Sequence, residues 1–448
     1  MTYARITTVI LFCASNIPSV RAQRNSTDNV IQFYQWKISR DPDDFFNYDK
    51  LGTAYIRKGR ETGDINYYDL AERALKKSLE LESSHREAIS ATVHLASVYF
   101  AEHRFKDALQ YAQKALTFGT GDMSPYAIIG DAFLEMGEYD QAASAYSKLK
   151  ESDRSPAPHQ ALAYLQETRS SNLEFLKGNP QESIRHMRNA VQAAISIQMP
   201  KESIAWTELT LADQFVQSGD LKNAEVAEQD ALTTYPGYHL AVAGLAKIRS
   251  AQGRLQDSIE LYRKALAIIP MPAYAAALGD LYTELGLSTE AKKQYDLVEF
   301  IAHLSAISKT VYNRELAMFY ADHGIKLKDS LALAQRELEV RHDIYTYDCL
   351  AWALYQNGRI TEAAAAISRA LALGTKDPLL FFHAGTIYFA LNDWDRATEY
   401  LSGALRINPR FHVLYASVAR RKLQEMEQHR AQTGTREQAT TWQQHDPQ

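Results

Sequence analysis

Apolar residues recur at helical spacing along most of the chain, in short stretches that are separated by turn residues. Each stretch carries an apolar residue, a small residue, a second apolar residue, a glycine and then an alanine. Two clear examples are Ile129, Gly130, Phe133, Gly137 and Ala142, and Leu350, Ala351, Leu354, Gly358 and Ala363. Spacings of three and four put such residues on one face of a helix. The pattern therefore predicts short amphipathic helices that repeat with a period of about 34 residues.

Each repeat is predicted to be a pair of antiparallel helices. Glycines such as Gly137 and Gly358 stand where the first helix must end and the chain must turn. Small residues such as Ala351 and Ala363 allow the two helices to approach to roughly 8–10 Å. Three repeats close on a proline: Pro236, Pro270 and Pro409.

This frame resembles the tetratricopeptide repeat, over most of the chain between Asp43 and Phe411. The resemblance implies an all-α fold, a right-handed superhelical solenoid of about ten antiparallel helical hairpins. In this family the first helix of each hairpin lines a concave groove that binds partner proteins. Residues 344–411 and the stretch before them are similar to exported bacterial members of the family.

Breaks in the pattern divide the repeats into three predicted blocks. The chain is polar and contains prolines around residues 150–160, and the frame weakens again near residues 300–310. We expect the first block over residues 43–155, the second over 156–305 and the third over 306–411.

Other segments flank the repeats. Residues 23–42 are expected to be a lead-in to the first hairpin. Residues 412–427 have a polar and an apolar face, and we expect a capping helix that covers the last hairpin. Residues 428–448 are rich in Gln and Thr with little apolar content, which predicts a disordered tail.

The first 22 residues are typical of an export signal. Arg5 precedes an apolar stretch over residues 6–14, Pro18 breaks it, and Val20 and Ala22 stand where a signal peptidase reads small residues. Cleavage is predicted after Ala22, which places the mature protein in the periplasm or outside the cell. No segment has about 18 uninterrupted apolar residues, so no integral membrane span is expected.

Charge and cysteine content narrow the classes of function. The chain of 448 residues carries a formal charge of −5, so we expect no general attraction to nucleic acid. Of its two cysteines, Cys13 lies in the predicted signal and Cys349 would remain alone, which excludes an internal disulfide. The sequence predicts neither a metal site nor a cofactor.

Familiar catalytic motifs are absent from the sequence. No phosphate-binding loop, dinucleotide fingerprint, His-Glu-x-x-His, Cys-x-x-Cys or Gly-x-Ser-x-Gly occurs. Cys349 and His383 occupy the same position in successive repeats, and such a pair could make a nucleophile or half a metal site. The alternative is a buried thiol and a packed imidazole. We expect no enzymatic activity and no catalytic residue, and we interpret Asp322-His323-Gly324 as a turn.

The resemblance assigns the groove to fixed positions of the first helices. The predicted groove residues are Ser97, Asp131, Glu135, Asp213, Asp280, Glu284, Tyr345, Asp348, Trp352, Tyr355, Phe382 and Phe389. They form an acidic middle and an aromatic C-terminal end. Only Lys247 and Arg314 are basic at these positions, so a clamp for acidic peptides is not expected. Alternatively, the acids form a solvated face and the aromatics pack against the capping helix.

The sequence thus predicts an exported, non-catalytic scaffold for other proteins or peptides. Its groove suits an extended partner segment that is basic or apolar. One alternative is a structural or assembly factor of the cell envelope that uses the convex face or the open ends. A less favoured alternative is an enzyme that uses Cys349 and His383.

Overall fold

A computed structural model describes the backbone of residues 18–83, 86–119, 121–150, 159–307 and 313–443. Within these ranges the chain forms twenty-two α-helices and no strand. The helices are α1 (Pro18–Arg40), α2 (Phe45–Thr62), α3 (Asn66–Leu81), α4 (Ala88–Ala101), α5 (Phe105–Thr117), α6 (Pro125–Glu135), α7 (Tyr139–Lys148), α8 (His159–Leu176), α9 (Pro180–Ser196), α10 (Lys201–Gln217), α11 (Leu221–Thr234), α12 (His239–Ala251), α13 (Leu255–Ile268), α14 (Pro272–Glu284), α15 (Ser288–Ile307), α16 (Asn313–Asp322), α17 (Leu327–Glu337), α18 (Ile344–Gln356), α19 (Ile360–Ala370), α20 (Pro378–Ala390), α21 (Trp394–Ile407) and α22 (Tyr415–Gln443).

From α2 to α21 the helices pair in chain order into ten hairpins. Hairpin 1 is α2 with α3, and hairpin 10 is α20 with α21; we call the first helix of each pair A and the second B. Each hairpin packs on the next, so the buried side chains form a row of linked clusters along the molecule. This arrangement confirms the predicted all-α repeat solenoid.

Small residues let helices A and B pack closely. Gly130 lies against the ring of Tyr146, and Gly279 lies against the ring of Tyr295, where a Cβ atom would overlap the ring in each case. Ala363 and Ala351 are fully buried in one core cluster. The small positions of the sequence frame are therefore the positions of closest helix contact.

A left-handed glycine ends helix A in most hairpins, and hairpin 3 shows the geometry. Gly137 has φ 79°, a conformation that costs other residues energy because of their Cβ atom. Its N–H donates to the Leu134 carbonyl, and the N–H of Glu138 donates to the Phe133 carbonyl at 2.8 Å. These two bonds satisfy carbonyls at the helix end and fix the direction in which helix B begins.

The predicted lead-in of residues 23–42 contains a helix. Helix α1 packs on α2, and its Ile31 is buried in the first core cluster. Thr27 is also buried, and its hydroxyl donates to the Glu61 carboxylate at 2.8 Å. Helix α1 therefore covers the first hairpin. Residues 1–17, which hold most of the predicted export signal, lie outside the described residues.

Helix α22 covers the other end of the solenoid, at the position predicted for the capping helix. Tyr415, Ala419 and Met426 are buried against hairpin 10. The predicted end at residue 427 is corrected by the structure, because the backbone stays helical to Gln443. Alanine, glutamine, arginine and glutamate recur after residue 427, and their helix propensity agrees with this continuation.

The solenoid winds tightly enough for distant hairpins to meet. The turn between helices A and B of an early hairpin contacts the chain that follows, or ends, a much later hairpin. The contacting pairs are Gly63 with Ile269 and Met271, Gly137 with His342, Gly178 with Gly374, Gly219 with Ile407, and Gly253 with Arg410. The partner of hairpins 1, 3, 4 and 5 is the hairpin five further along. We call this row of contacts the inter-turn seam.

Both predicted breaks in the repeat pattern overlap residues that the structure does not describe. Residues 151–158 and 308–312 lie outside the described residues, so the block boundaries near residues 155 and 305 stay predictions. Across the described ranges, no helix is both long and apolar enough to cross a membrane.

Candidate binding surface inside the solenoid

The interior contains a central cavity of about 530 Å³, bounded by hairpins 5, 7, 8, 9 and 10 and by the start of the cap. One wall is apolar and comes mainly from α14, α15 and α16, with residues such as Ala277, Val298 and Phe319. The other part of the lining, which we call the acidic wall, comes from α14, α16, α18 and the start of α20. Its four aspartates are Asp280, Asp322, Asp348 and Asp377.

Asp280 accepts the hydrogen bonds that organise one half of the acidic wall. It is 8% exposed and accepts hydrogen bonds from the Tyr295 hydroxyl at 2.9 Å and from His323 Nε2 at 2.8 Å. The other nitrogen of His323, Nδ1, lies 2.7 Å from the Phe319 carbonyl oxygen. Because both ring nitrogens face acceptors, both must donate, which favours the charged imidazolium. Burial alone would lower the pKa of His323, but the hydrogen bond and charge of Asp280 raise it.

Asp322 links helix α16 to the cap. Its Oδ1 accepts hydrogen bonds from Trp352 Nε1 at 2.7 Å and from the Tyr415 hydroxyl at 2.6 Å. Two neutral donors on one carboxylate oxygen form short, charge-assisted bonds. The start of α22 is thereby fixed to the wall of the cavity.

Asp348 and Asp377 form the other half of the acidic wall. Asp348 accepts from His383 Nδ1 at 2.9 Å, and His383 is fully buried. Burial alone would lower the pKa of His383, but the adjacent Asp348 charge raises it. Asp377 caps α20 by accepting from the N–H groups of Leu379 and Leu380. Burial raises the pKa of Asp377.

A second cavity of about 550 Å³ lies between hairpins 2 and 5. Here Asp131 accepts two bonds from the Arg169 guanidinium, at 2.6 and 3.2 Å, and one from the Tyr146 hydroxyl. Glu135 lies 2.9 Å from the Arg341 guanidinium. Burial nevertheless raises the pKa of Glu135 to about 7. The bidentate ion pair leaves this cavity less acidic than the central one.

The structure divides eight of the predicted groove residues into three groups. Asp280, Tyr345 and Asp348 come together in the central cavity. Ser97, Asp131 and Glu135 come together in the second cavity. Asp213 and Glu284 are exposed, and Asp213 pairs with Lys247 at 3.2 Å.

The predicted aromatic end of the groove lies mostly under the cap. Trp352 and Phe382 are 2% and 1% exposed; Phe382 stacks on Tyr415, and Trp352 on His383. Their assignment as partner-binding residues is therefore corrected: they pack in the core, because α22 covers them. Tyr355 stacks on Trp352 and is half-buried. Phe389 is also half-buried, and Lys422 of α22 lies 4.1 Å from its ring centroid.

Several residues of the interior are missing from the sequence prediction. Arg169 belongs to hairpin 4, where the repeat frame is degenerate, so no groove position could be assigned. Asp322 and His323 do begin a turn, as predicted for this stretch, but their side chains reach the central cavity. Asp377 and His412 lie in connections between helices, where the frame assigns no groove positions.

Cys349 and His383 do not make a reactive pair. The Cys349 thiol is buried among alanines and lies 3.7 Å from the Arg314 carbonyl oxygen. Burial raises the pKa of Cys349 well above its usual value, which opposes thiolate formation. His383 directs its Nδ1 to Asp348 instead. These surroundings agree with the buried thiol and packed imidazole that the sequence left as the alternative.

The stacked hairpins and the lined interior define a helical-repeat scaffold. Models of the tetratricopeptide repeat match residues 209–273 and 350–421, and a further tetratricopeptide-repeat model matches residues 128–154. These three segments of the chain therefore match the tetratricopeptide repeat. The repeats support a role as a protein-interaction scaffold.

Solved structures with similar architecture share little sequence with the chain. The crystal structure of MamA is 22% identical, with a TM-score of 0.31, over 40% of this chain and 96% of that one. Yeast Tom70 is 13% identical, with a TM-score of 0.38, over 92% of this chain and 93% of that one. A tetratricopeptide repeat protein from Parabacteroides merdae is 16% identical, with a TM-score of 0.34, over 59% of this chain and 99% of that one. No curated protein matches the sequence.

Proposed function

We propose that the chain is an exported, non-catalytic scaffold that binds a basic or apolar extended segment of a partner protein inside the solenoid. The observation that carries the proposal is the central cavity, in which four aspartates lie beside an apolar wall. A lysine or arginine side chain has an apolar stem and a charged head, and so matches both walls.

The charges of the cavity oppose an acidic ligand. Arg314 is the one arginine or lysine among the cavity-lining residues, and its guanidinium lies 3.5 Å from Asp343. His323 already donates to Asp280, and burial lowers the pKa of His412. A carboxylate ligand would therefore be repelled by the aspartates, which outnumber the cationic side chains of the lining, whereas a cation would gain complementarity and specificity.

Export is supported by the residue pattern at the start of the chain. Arg5, the apolar stretch over residues 6–14 and the small residues before the predicted cleavage after Ala22 match the three parts of a signal peptide. The partner would then also lie in the periplasm or outside the cell.

Selection from a random displayed-peptide library tests the binding proposal. We expect the full chain to enrich peptides in which Lys or Arg is flanked by apolar residues. Ala277→Phe, which fills the apolar side of the cavity, should abolish this enrichment because the wall is then occupied. The matched control Ala390→Phe, at the exposed end of α20, should retain it. Enrichment of acidic peptides, or equal enrichment by both variants, contradicts the proposal.

A second function is favoured by the exposed face of α1. Phe33 and Trp36 are 48% and 55% exposed at the N-terminal end of the solenoid. Exposed aromatics at an end suit a structural or assembly factor of the cell envelope that docks through that end. Cross-linking in the native host distinguishes the two, since links from α1 favour assembly and links from α14 and α16 favour the cavity.

A further inference from the structure

The central cavity is too small to hold the proposed extended segment. A cavity of about 530 Å³ is in the range of small-molecule sites. An extended chain advances about 3.3 Å per residue and needs a channel along its whole length. Binding of such a segment therefore requires the interior to widen.

The inter-turn seam holds the two turns of the solenoid together. Its contacts include backbone hydrogen bonds between distant hairpins: the His342 N–H donates to the Glu135 carbonyl at 3.0 Å. The Ile344 N–H donates to the Tyr139 hydroxyl oxygen at 2.9 Å. The Thr375 hydroxyl donates to the Leu176 carbonyl.

Buried side chains reinforce the same seam. Ile344 is 2% exposed within the core cluster of hairpins 3 and 4, although it belongs to hairpin 9. Arg341 is 8% exposed, pairs with Glu135 and lies over the ring of Phe105. Arg341 also pairs with Glu337 of its own hairpin at 3.3 Å, so it joins the two turns through Glu135. Together with buried Ile344, this contact favours one register of the two turns.

The seam leads directly into the wall of the cavity. Ile344 is followed by Tyr345 and then Asp348 on α18, and both of these line the cavity. Thr375 is followed by Asp377, which also lines it. Gln217 lines the cavity from the earlier turn and lies two residues before the seam residue Gly219. Separation of the two turns must therefore move Gln217 away from the rest of the lining, which comes from hairpins 7–10 and the start of the cap.

We propose that the inter-turn seam is a gate on the interior. It holds the cavity narrow in the free protein, and a partner segment enters only when the turns separate. The part that concerns the partner rests on the proposed function, while the gate itself is a property of the chain alone.

Glycines give a matched test of the gate. A Cβ atom on Gly178 or Gly219 would overlap a carbonyl oxygen across the seam, whereas Gly286 and Gly358 have open space around them. All four have positive φ, between 73° and 81°, so the backbone cost of alanine is comparable and only the first two lose seam contact. The variants are Gly178→Ala and Gly219→Ala, with Gly286→Ala and Gly358→Ala as controls.

The readout is the labelling rate of a cysteine placed in the cavity. Val298→Cys, at a cavity-lining position that is 1% exposed, is made in a Cys13→Ser chain and treated with 2-aminoethyl methanethiosulfonate, a small cationic thiol reagent. The rate of the same chain without Val298→Cys is subtracted. We expect the seam variants to label about tenfold faster than the controls, because local opening controls access. Equal rates in the two sets overturn the gate.

Two less disruptive variants test the gate if the glycine variants do not fold. Tyr139→Phe and Thr375→Val each remove one hydroxyl of the seam. They should also raise the rate, whereas Thr233→Val, an exposed residue of α11 whose hydroxyl donates to the Gln229 carbonyl of its own helix, should not. Labelling needs no partner. If the seam variants label faster but no peptide is selected from the library, only the proposed function is contradicted.

Discussion

Glu228 on α11 is a carboxyl that the fold buries beside a glycine. It is 2% exposed, and a Cβ atom on Gly244 of α12 would overlap its carboxyl group. Its Oε2 has no hydrogen-bond partner among the described residues. Burial, helped by the charge of Asp213, raises the pKa of Glu228 to about 9.

Glu228→Gln should make the protein relatively more stable at high pH. A carboxyl with a raised pKa binds its proton more tightly in the folded chain, so its stabilising effect is present at low pH. That effect is lost as the pH rises from about 4.5 towards about 9. The free energy of unfolding of the variant, relative to that of the wild type, should rise by about 1–3 kcal/mol between about pH 5 and about pH 8. Urea unfolding at the two pH values measures it.

Glu225 on the same helix provides the control of opposite sign. Hydrogen bonds from Arg249 and Gln252 lower the pKa of Glu225 to about 2, so its ionised form is stabilising above its ordinary pKa. Glu225→Gln should therefore lower stability at pH 8. This loss should be about the same at pH 5 and at pH 8, because the effect of Glu225 is complete above about pH 4.5. If Glu225→Gln gains stability relative to the wild type between these pH values as Glu228→Gln does, the account of Glu228 is wrong.

At the residue scale, the sequence predicted interior positions wherever the helical frame was intact. Asp280 and Asp348 lie inside because the register of a helix fixes which face points inward. The sequence did not predict Arg169 as an interior residue, because its hairpin departs from the repeat frame. It did not predict Asp377 and His412, because they lie in connections between helices, where no helical periodicity fixes the direction of a side chain.

At the scale of the element, the hairpin is the best-predicted unit. Short apolar faces, small contact positions and a turn glycine are all local signals, and they agree with one another in most repeats. The burial of Trp352 and Phe382 was not predictable in this way. It depends on how α22 packs on hairpin 10, which is a contact between elements that local sequence signals do not determine.

Ala363→Leu tests the hairpin contact. Ala363 is fully buried against the core that includes Ala351, so a larger side chain must overpack it. We expect the free energy of unfolding to fall by about 1–3 kcal/mol. Ala365→Leu, on the exposed face of the same helix, should change it by less than about 0.5 kcal/mol. Chemical unfolding measures both, and equal effects would show that the frame is misplaced.

At the scale of the whole molecule, the seam is the feature that the sequence did not predict. In a repeat array each unit is expected to contact only its neighbours. Here hairpins 3, 4 and 5 also contact hairpins 8, 9 and 10, because small rotations between neighbours accumulate into a tight winding. No single residue of the sequence indicates this accumulated rotation. The seam glycines look in the sequence like any other turn glycine.

Amine cross-linking with mass spectrometry tests this winding most directly. Lys177 and Lys376 are exposed, about 200 residues apart in the chain, and stand next to the seam contact of Gly178 with Gly374. A short bis-succinimidyl reagent applied to the monomer should join Lys177 to Lys376. Gly178→Ala should reduce the yield of that peptide pair. Efficient links between neighbouring hairpins with none between these two lysines would contradict the wound, gated solenoid.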